Sequence, residues 1–230
     1  MSDGRAVEEL VVGILGGTGP QGRGLGVRLA AAGQRVVLGS RDGDRARQVA
    51  EEVAARAAAV AGAEVSLQGG SNADVAGVAD LVIVAVPFAG HADTLTGLAT
   101  PLAGKVVVDC VVPMGFDELG AYVLDVPEGS VTQQAAALLP DSSVVGAFHH
   151  VSSVLLEDVS RPTLDGDVMV VGDVREATDL VQALAGRIPG MRGVYAGRLR
   201  NAAQVEALTI NLVSVNRRYK AHAGIRVTDV

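Results

Sequence analysis

The chain has 230 residues, 49% of them apolar and 20% charged, with a formal net charge of −7. That length suits one large domain, or a main domain with a smaller second one, and the apolar content excludes a disordered chain. The acidic balance gives no support for nucleic-acid binding, and no apolar run reaches the about 18 residues of a membrane span; with no leader-like start, the expected setting is the cytoplasm.

In chain order, Met1 to Glu9 is polar and reads as a frayed extension. Leu10 to Leu15 is an apolar run that ends in glycines, after which a periodic pattern (Leu25, Leu29, Ala30) continues to Gly33. That is strand, tight turn, helix. Gly17, Gly19 and Gly22 have the G-x-G-x-x-G spacing, in which the first glycine turns the chain, the second lets backbone approach a pyrophosphate, and the third packs helix against strand. Pro20 suits the first helical turn, and the unpaired amides there, with Thr18 and Gln21 alongside, offer partial positive charge to an anion.

Arg35 to Gly39 reads as the second strand, with Ser40 and Arg41 at its carboxyl end and Arg45 one turn into the next helix. An NAD site usually places an acid about 20 residues past the glycines, on the ribose hydroxyl. Here a hydroxyl and two cations stand there, a set suited to the 2′-phosphate of NADP(H). The alternative is that both arginines are solvated and Asp42 takes the ribose.

Asp44 to Ala61 is an Ala-rich helix, Val65 to Leu67 a short strand, Asn72 to Val78 a short helix, and Leu81 to Val86 a buried parallel strand. Pro87 ends that strand where its carboxyl end faces the dinucleotide crevice, which makes Val86 and Pro87 candidate cofactor contacts. His91, on the next helix, reads as a surface or helix-face histidine and not as a catalyst. Lys105 to Val112 is another strand, containing Cys110 as a buried thiol; a single cysteine forms no internal disulfide and fits a reducing compartment.

Ser130 caps a helix over Val131 to Leu139, and Ser143 to Ala147 is the sixth strand, delivering Phe148, His149 and His150 to the same crevice. Adjacent histidines point differently, and no cluster with zinc spacing is present, so no metal site is expected. One of the pair is expected to hydrogen-bond a carbonyl or ring nitrogen of a second substrate. From Val151 the character changes: a strand over Val168 to Val171, a helix over Arg175 to Ile188, a strand near Val194 and a terminal helix from Asn201 to His222. The expected fold is therefore α/β, a Rossmann-type doubly wound parallel sheet over 1–150 with a small C-terminal α/β cap over 151–230. An apolar face on the terminal helix suits a homodimer, and Arg217, Arg218 and Lys220 in its last turns suit the helix dipole.

With these residues in hand, the chain resembles the F420-dependent NADP oxidoreductase family over nearly its full length. The resemblance rests on ILGGTGPQGRGLGVRLA at Ile14 to Ala30, VVLGSR at Val36 to Arg41 with Arg45, VAVPF at Val84 to Phe88, VVPM at Val111 to Met114, FHH at Phe148 to His150, and VEALT at Val205 to Thr209. It implies direct hydride transfer between NADP(H) and the 5-deazaflavin coenzyme F420. It implies NADP contacts from Thr18, Ser40, Arg41 and Arg45, and cofactor contacts from Val112, Pro113 and Met114. His149, His150, Val151, Ala207 and Thr209 fall toward the deazaflavin, with His149 and Thr209 as the catalytic candidates and His149 expected to stabilise charge at a ring carbonyl. Arg217, Arg218 or Lys220 is expected to meet the anionic F420 tail. The family pattern has Ser at the place of Ala207 and Thr at that of His150. Few aromatic residues, three Phe, three Tyr and no Trp, suit a site in which the two cofactors stack on each other. The competing readings are an NADPH-dependent imine or keto-acid reductase, and a non-enzymatic NADP-sensing Rossmann protein.

Overall fold

A computed structural model describes residues 5–230. Ten strands and eight α-helices follow one another along these residues, alternating except where three strands come in succession after the fourth helix. β1 (Val11–Leu15), β2 (Arg35–Ser40), β3 (Leu67–Ser71), β4 (Leu81–Val84), β5 (Val106–Asp109) and β8 (Ser143–Gly146) run parallel, in the spatial order β3-β2-β1-β4-β5-β8. Every residue of β4 and β5 is buried, because helices cover both faces of the sheet. α1 (Pro20–Ala31), α2 (Gly43–Ala61), α6 (Ser153–Glu157) and α7 (Arg175–Gly186) pack on one face around Ile14, Leu29, Val53 and Leu184. α3 (Asn72–Val78), α4 (His91–Leu102) and α5 (Val131–Leu138) cover the other around Val75, Val82, Leu95 and Val131.

The residues after Val151 join this same sheet. β9 (Gly166–Gly172) pairs antiparallel with β8, β10 (Met191–Gly197) pairs parallel with β9, and α8 (Ala202–Tyr219) closes the order of elements. Local chemistry sets the helix ends: Asp42 accepts from the amides of Asp44 and Arg45 to start α2, and Ser71 with Asp74 forms a capping box at α3.

Several expectations shift. Residues 1–4 lie outside the described residues, but Val7–Glu9 forms a 3-10 turn, not a frayed end, since Gln34 Nε2 donates to the carbonyls of Val7 and Leu10 at 2.9 and 2.6 Å. β3 occupies Leu67–Ser71 and not 65–67; its glycines have no strand propensity, yet the ladder to β2 recruits them. β4 and β5 stop at Val84 and Asp109, earlier than the apolar runs suggested. The hairpin of β6 (Met114–Asp117) and β7 (Gly120–Val123) and the short α6 carry too little periodicity to be read in advance. α6 is held by Arg28, whose buried guanidinium donates to the carbonyls of Leu155, Leu156, Asp158 and Arg161.

Candidate functional site

All the strand ends named above open on one edge of the parallel sheet. There the order reverses between β1 and β4, the switch point at which open α/β sheets bind ligands. The glycine turn follows β1, and Ala85 N–H donates to Leu15 O at 2.9 Å, which sets Val86 and Pro87 beside that turn. Gln21 Nε2 donates to Phe148 O at 3.2 Å and ties the first turn of α1 to the end of β8.

The glycines divide by what surrounds them. A Cβ on Gly22 would stand 2.6 Å from Gly17 Cα, so this position is fixed by helix-to-strand packing. A Cβ on Gly19 would meet only Gly16 O, at 3.4 Å. Gly19 is also the N-cap of α1 and has no side chain to satisfy the first-turn amides, with Pro20 following. The protein leaves that helix end open, as an approaching pyrophosphate requires. Thr18 is held near it, its carbonyl accepting from Arg23 Nη1 at 2.8 Å.

Beside the end of β2, Ser40 and Arg41 border a depression of ≈ 330 Å³ shared with Ser71, Asn72 and Thr94. Arg41 and Arg45 are exposed, and neither side chain has a hydrogen bond or ion pair among the described residues. Asp42, the acid that would have served a ribose hydroxyl, instead uses Oδ1 to cap α2, at 3.0 Å from Asp44 N and 3.1 Å from Arg45 N. Two free cations and a hydroxyl thus stand together at the end of β2.

The far side of the crevice is a buried polar cluster. His91, read as a surface or helix-face histidine, is fully buried: Nε2 lies 2.6 Å from Asp109 Oδ2 and Nδ1 lies 3.0 Å from Gln134 Oε1. Burial pulls its pKa down, but the hydrogen bond and charge of Asp109 prevail and raise it above the ordinary value. Cys110 is buried as expected, and burial pushes its thiol well above the usual range. Val112 and Pro113 follow, with Pro113 O accepting from Leu124 N at 2.7 Å, and Met114 opens the hairpin.

The two histidines at the end of β8 diverge. Phe148, its ring fully buried, adopts a left-handed φ of 64°, an uncommon and strained choice for a non-glycine residue that turns the chain sharply. His149 Nε2 then lies 3.5 Å from Thr132 Oγ1, while His150 Nε2 accepts from Met169 N at 3.2 Å in β9. Burial lowers both to about 4, so both rings are neutral. Only His149 joins the crevice cluster; His150 and Val151 border a small hollow beneath the C-terminal segment. On α8, Ala207 and Thr209 are half-buried, and the Thr209 hydroxyl donates back to Val205 O at 3.3 Å. Arg217, Arg218 and Lys220 are exposed at its far end, with Arg217 and Arg218 beside the hairpin.

Sequence reading missed Gln21 as a bridge to Phe148, the His91–Asp109 pair, and Glu206. The capping pattern at Ser130 was the one signal near Glu206, but it gave no hint that the next two amides of α5 go to α8.

A six-stranded parallel core with a glycine turn at its switch point defines a Rossmann-type fold of the dinucleotide-binding class. A family described as NADP oxidoreductase, coenzyme F420-dependent, matches residues 11–113. The F420-dependent NADP reductase of Methanothermobacter thermautotrophicus is 36% identical over 225 residues, 95% of each chain. The chain belongs to the F420-dependent NADP reductase family. Its fold is shared by a protein from Arthrobacter sp. FB24, described as a candidate F420-dependent NADP reductase, at a TM-score of 0.77 and 24% identity, covering 95% of this chain and 99% of that one. It is shared more loosely by an imine reductase from Bacillus cereus, at a TM-score of 0.62 and 15% identity, where 91% of this chain spans 62% of the other. Among the described residues no helix is long and apolar enough to cross a membrane.

Proposed function

We propose that the chain transfers a hydride between NADP(H) and coenzyme F420, with residues 1–150 holding the nucleotide and 151–230 closing over the deazaflavin. The observation that carries the choice of nucleotide is the free pair Arg41 and Arg45 beside Ser40, with Asp42 committed to a helix cap. Family membership over 95% of the chain carries the choice of partner.

When bound, the nicotinamide and the deazaflavin supply the carbons between which the hydride moves. The protein binds and orients. Gly17, Thr18, Gly19, Pro20, Gln21 and Gly22 receive the pyrophosphate at the open end of α1, and Ser40, Arg41 and Arg45 hold the 2′-phosphate. Val86, Pro87, Val112, Pro113 and Met114 line the strand ends where the nicotinamide rests. His149, Ala207 and Thr209 would border the second ring, with Val151 and His150 behind them, His150 anchored to β9. Holding two reacting rings at contact distance supplies about 7–11 kcal/mol of the barrier, which is why no acid–base pair is needed at the reacting carbons.

The reading includes a homodimer in the cytoplasm. The hairpin supports the first part, since Phe116, Leu119, Tyr122 and Val123 present apolar surface to solvent that a second copy would cover. The buried free thiol of Cys110 supports the second.

The test is an absorbance time course with oxidised F420 and either NADPH or NADH. Rapid loss of the deazaflavin band with NADPH and little with NADH is expected. An unchanged band with both nucleotides, despite NADPH binding, overturns the reading.

A further inference from the structure

Glu206 is a buried carboxylate on α8 that the hydride-transfer reading leaves without a part. Only 1% of it is exposed, and its oxygens collect three donors. Oε2 accepts from Val131 N at 3.0 Å; Oε1 accepts from Thr132 N at 3.0 Å and from the Thr132 hydroxyl at 2.8 Å. Ser130 Oγ takes the next amide, Gln133 N, at 3.0 Å. The first three amides of α5 are thereby satisfied, two of them from a distant helix. Burial raises its pKa above the ordinary carboxylate value, against the pull of these three donors; Oε1 already takes two of them, so it accepts from the Thr132 hydroxyl whether or not Oε2 carries a proton.

The consequence passes through Thr132. Its one hydroxyl proton is directed at Glu206, so it offers His149 only a lone pair. His149 Nε2 faces that oxygen at 3.5 Å and must carry the ring proton for the contact to be attractive. The neutral ring has one proton, so Nδ1 is bare. Nδ1 is buried and has no hydrogen-bond partner among the described residues, and a buried acceptor of this kind calls for a donor.

We infer that Glu206, acting through Thr132, is a positioning residue that fixes His149 in its Nε2–H tautomer and presents Nδ1 as an acceptor for an N–H of the second substrate. The inference rests on the function proposed above, where that substrate is the deazaflavin, whose pyrimidine edge carries one N–H between two carbonyls. It also replaces the expected role of His149. A bare Nδ1 receives a hydrogen bond; it does not neutralise a carbonyl oxygen.

The experiment is nitrogen NMR of the full chain labelled with 15N-histidine, free and with F420 or NADP+ added. The chain has four histidines, so a His149→Gln variant assigns the resonance. Thr132→Val carries the test, because it removes the hydroxyl and leaves both backbone amides on Glu206; Thr132→Ser is the rescue. The wild type and Thr132→Ser are expected to show the Nε2–H tautomer, with Nδ1 shifting on addition of F420 and not of NADP+. Thr132→Val is expected to lose the tautomer preference and to raise KM for F420 about tenfold with KM for NADPH unchanged. An Nδ1–H tautomer in the wild type, or a Thr132→Val enzyme with unaltered tautomer and KM, overturns the inference. A wild type that fails to bleach F420 with NADPH rejects the functional reading instead, whichever tautomer it shows.

Discussion

His91 and Asp109 form an ion pair with both side chains fully buried, 2.6 Å apart, beneath the strand ends that line the crevice. Both ring nitrogens face acceptors, since Gln134 donates its amide to Glu128 and so turns Oε1 to His91. That is the geometry of an imidazolium, and it agrees with the raised pKa. A histidine whose folded pKa is raised stabilises the protein fully below its unfolded value of about 6.5, and the contribution is lost as pH rises through the folded value. Urea unfolding of the wild type should therefore show stability falling as pH rises above about 6.5. His91→Ala should cost about 3–5 kcal/mol by leaving Asp109 buried without its cation. It should also flatten that part of the pH profile; a slope equal to that of the wild type would contradict the pairing.

Gly19→Ala and Gly22→Ala should fail in different ways. At Gly22 a methyl group meets Gly17 Cα at 2.6 Å, so helix and strand must separate and thermal stability should drop sharply. At Gly19 the fold has room, and melting should be nearly unchanged while NADPH affinity falls at least about tenfold, because the methyl group occupies the ligand's approach. Calorimetric binding beside a melting curve separates the two.

Arg41→Ala and Arg45→Ala should each weaken NADPH binding by about tenfold or more, the range of a lost charge-assisted hydrogen bond. NADH should be almost unaffected, so the ratio of kcat/KM for the two nucleotides is the measurement. Both arginines are exposed and unpaired among the described residues, so neither substitution should alter stability by more than about 0.5 kcal/mol.

Asp167 holds the C-terminal segment. Its buried carboxylate accepts from Arg192 at 2.7 and 2.8 Å, from Arg226 at 3.0 Å and from Val227 N at 2.7 Å. The Arg192 hydrogen bonds lead in holding it well below the usual carboxylate range. A depressed acid contributes stability above its unfolded pKa of about 3.9 and loses it as pH falls through the folded value. Asp167→Asn should cost on the order of 3 kcal/mol at neutral pH and remove hydrogen-exchange protection at Val227, with the gap to the wild type closing in acid. Retained protection at Val227 would mean that the segment is held by other contacts.

The site was legible where chemistry is local. The glycine spacing, Pro20, and Ser40 with Arg41 sit in consecutive stretches whose backbone and charge are readable without the fold, and the structure sets them at one sheet edge. His149 and His150 were legible only as a pair at a strand end. Their divergence depends on the left-handed turn at Phe148 and on β9 arriving beside β8, neither of which leaves a pattern in the chain. His91 read as a surface or helix-face residue because its helix position is unremarkable; its partner Asp109 lies on β5.

The sequence alone determined the alternation of strand and helix, the nucleotide-binding turn and the preference for a phosphate-bearing ribose, since each follows from short-range periodicity, glycine freedom and local charge. Tertiary structure alone decided that the last two strands extend the first sheet, that Glu206 crosses from α8 to cap α5, and that His149 Nδ1 is left without a partner among the described residues. These depend on groups 17 to 75 residues apart meeting in a buried, low-dielectric space, where each donor must find an acceptor and the available partner fixes which atom holds the proton.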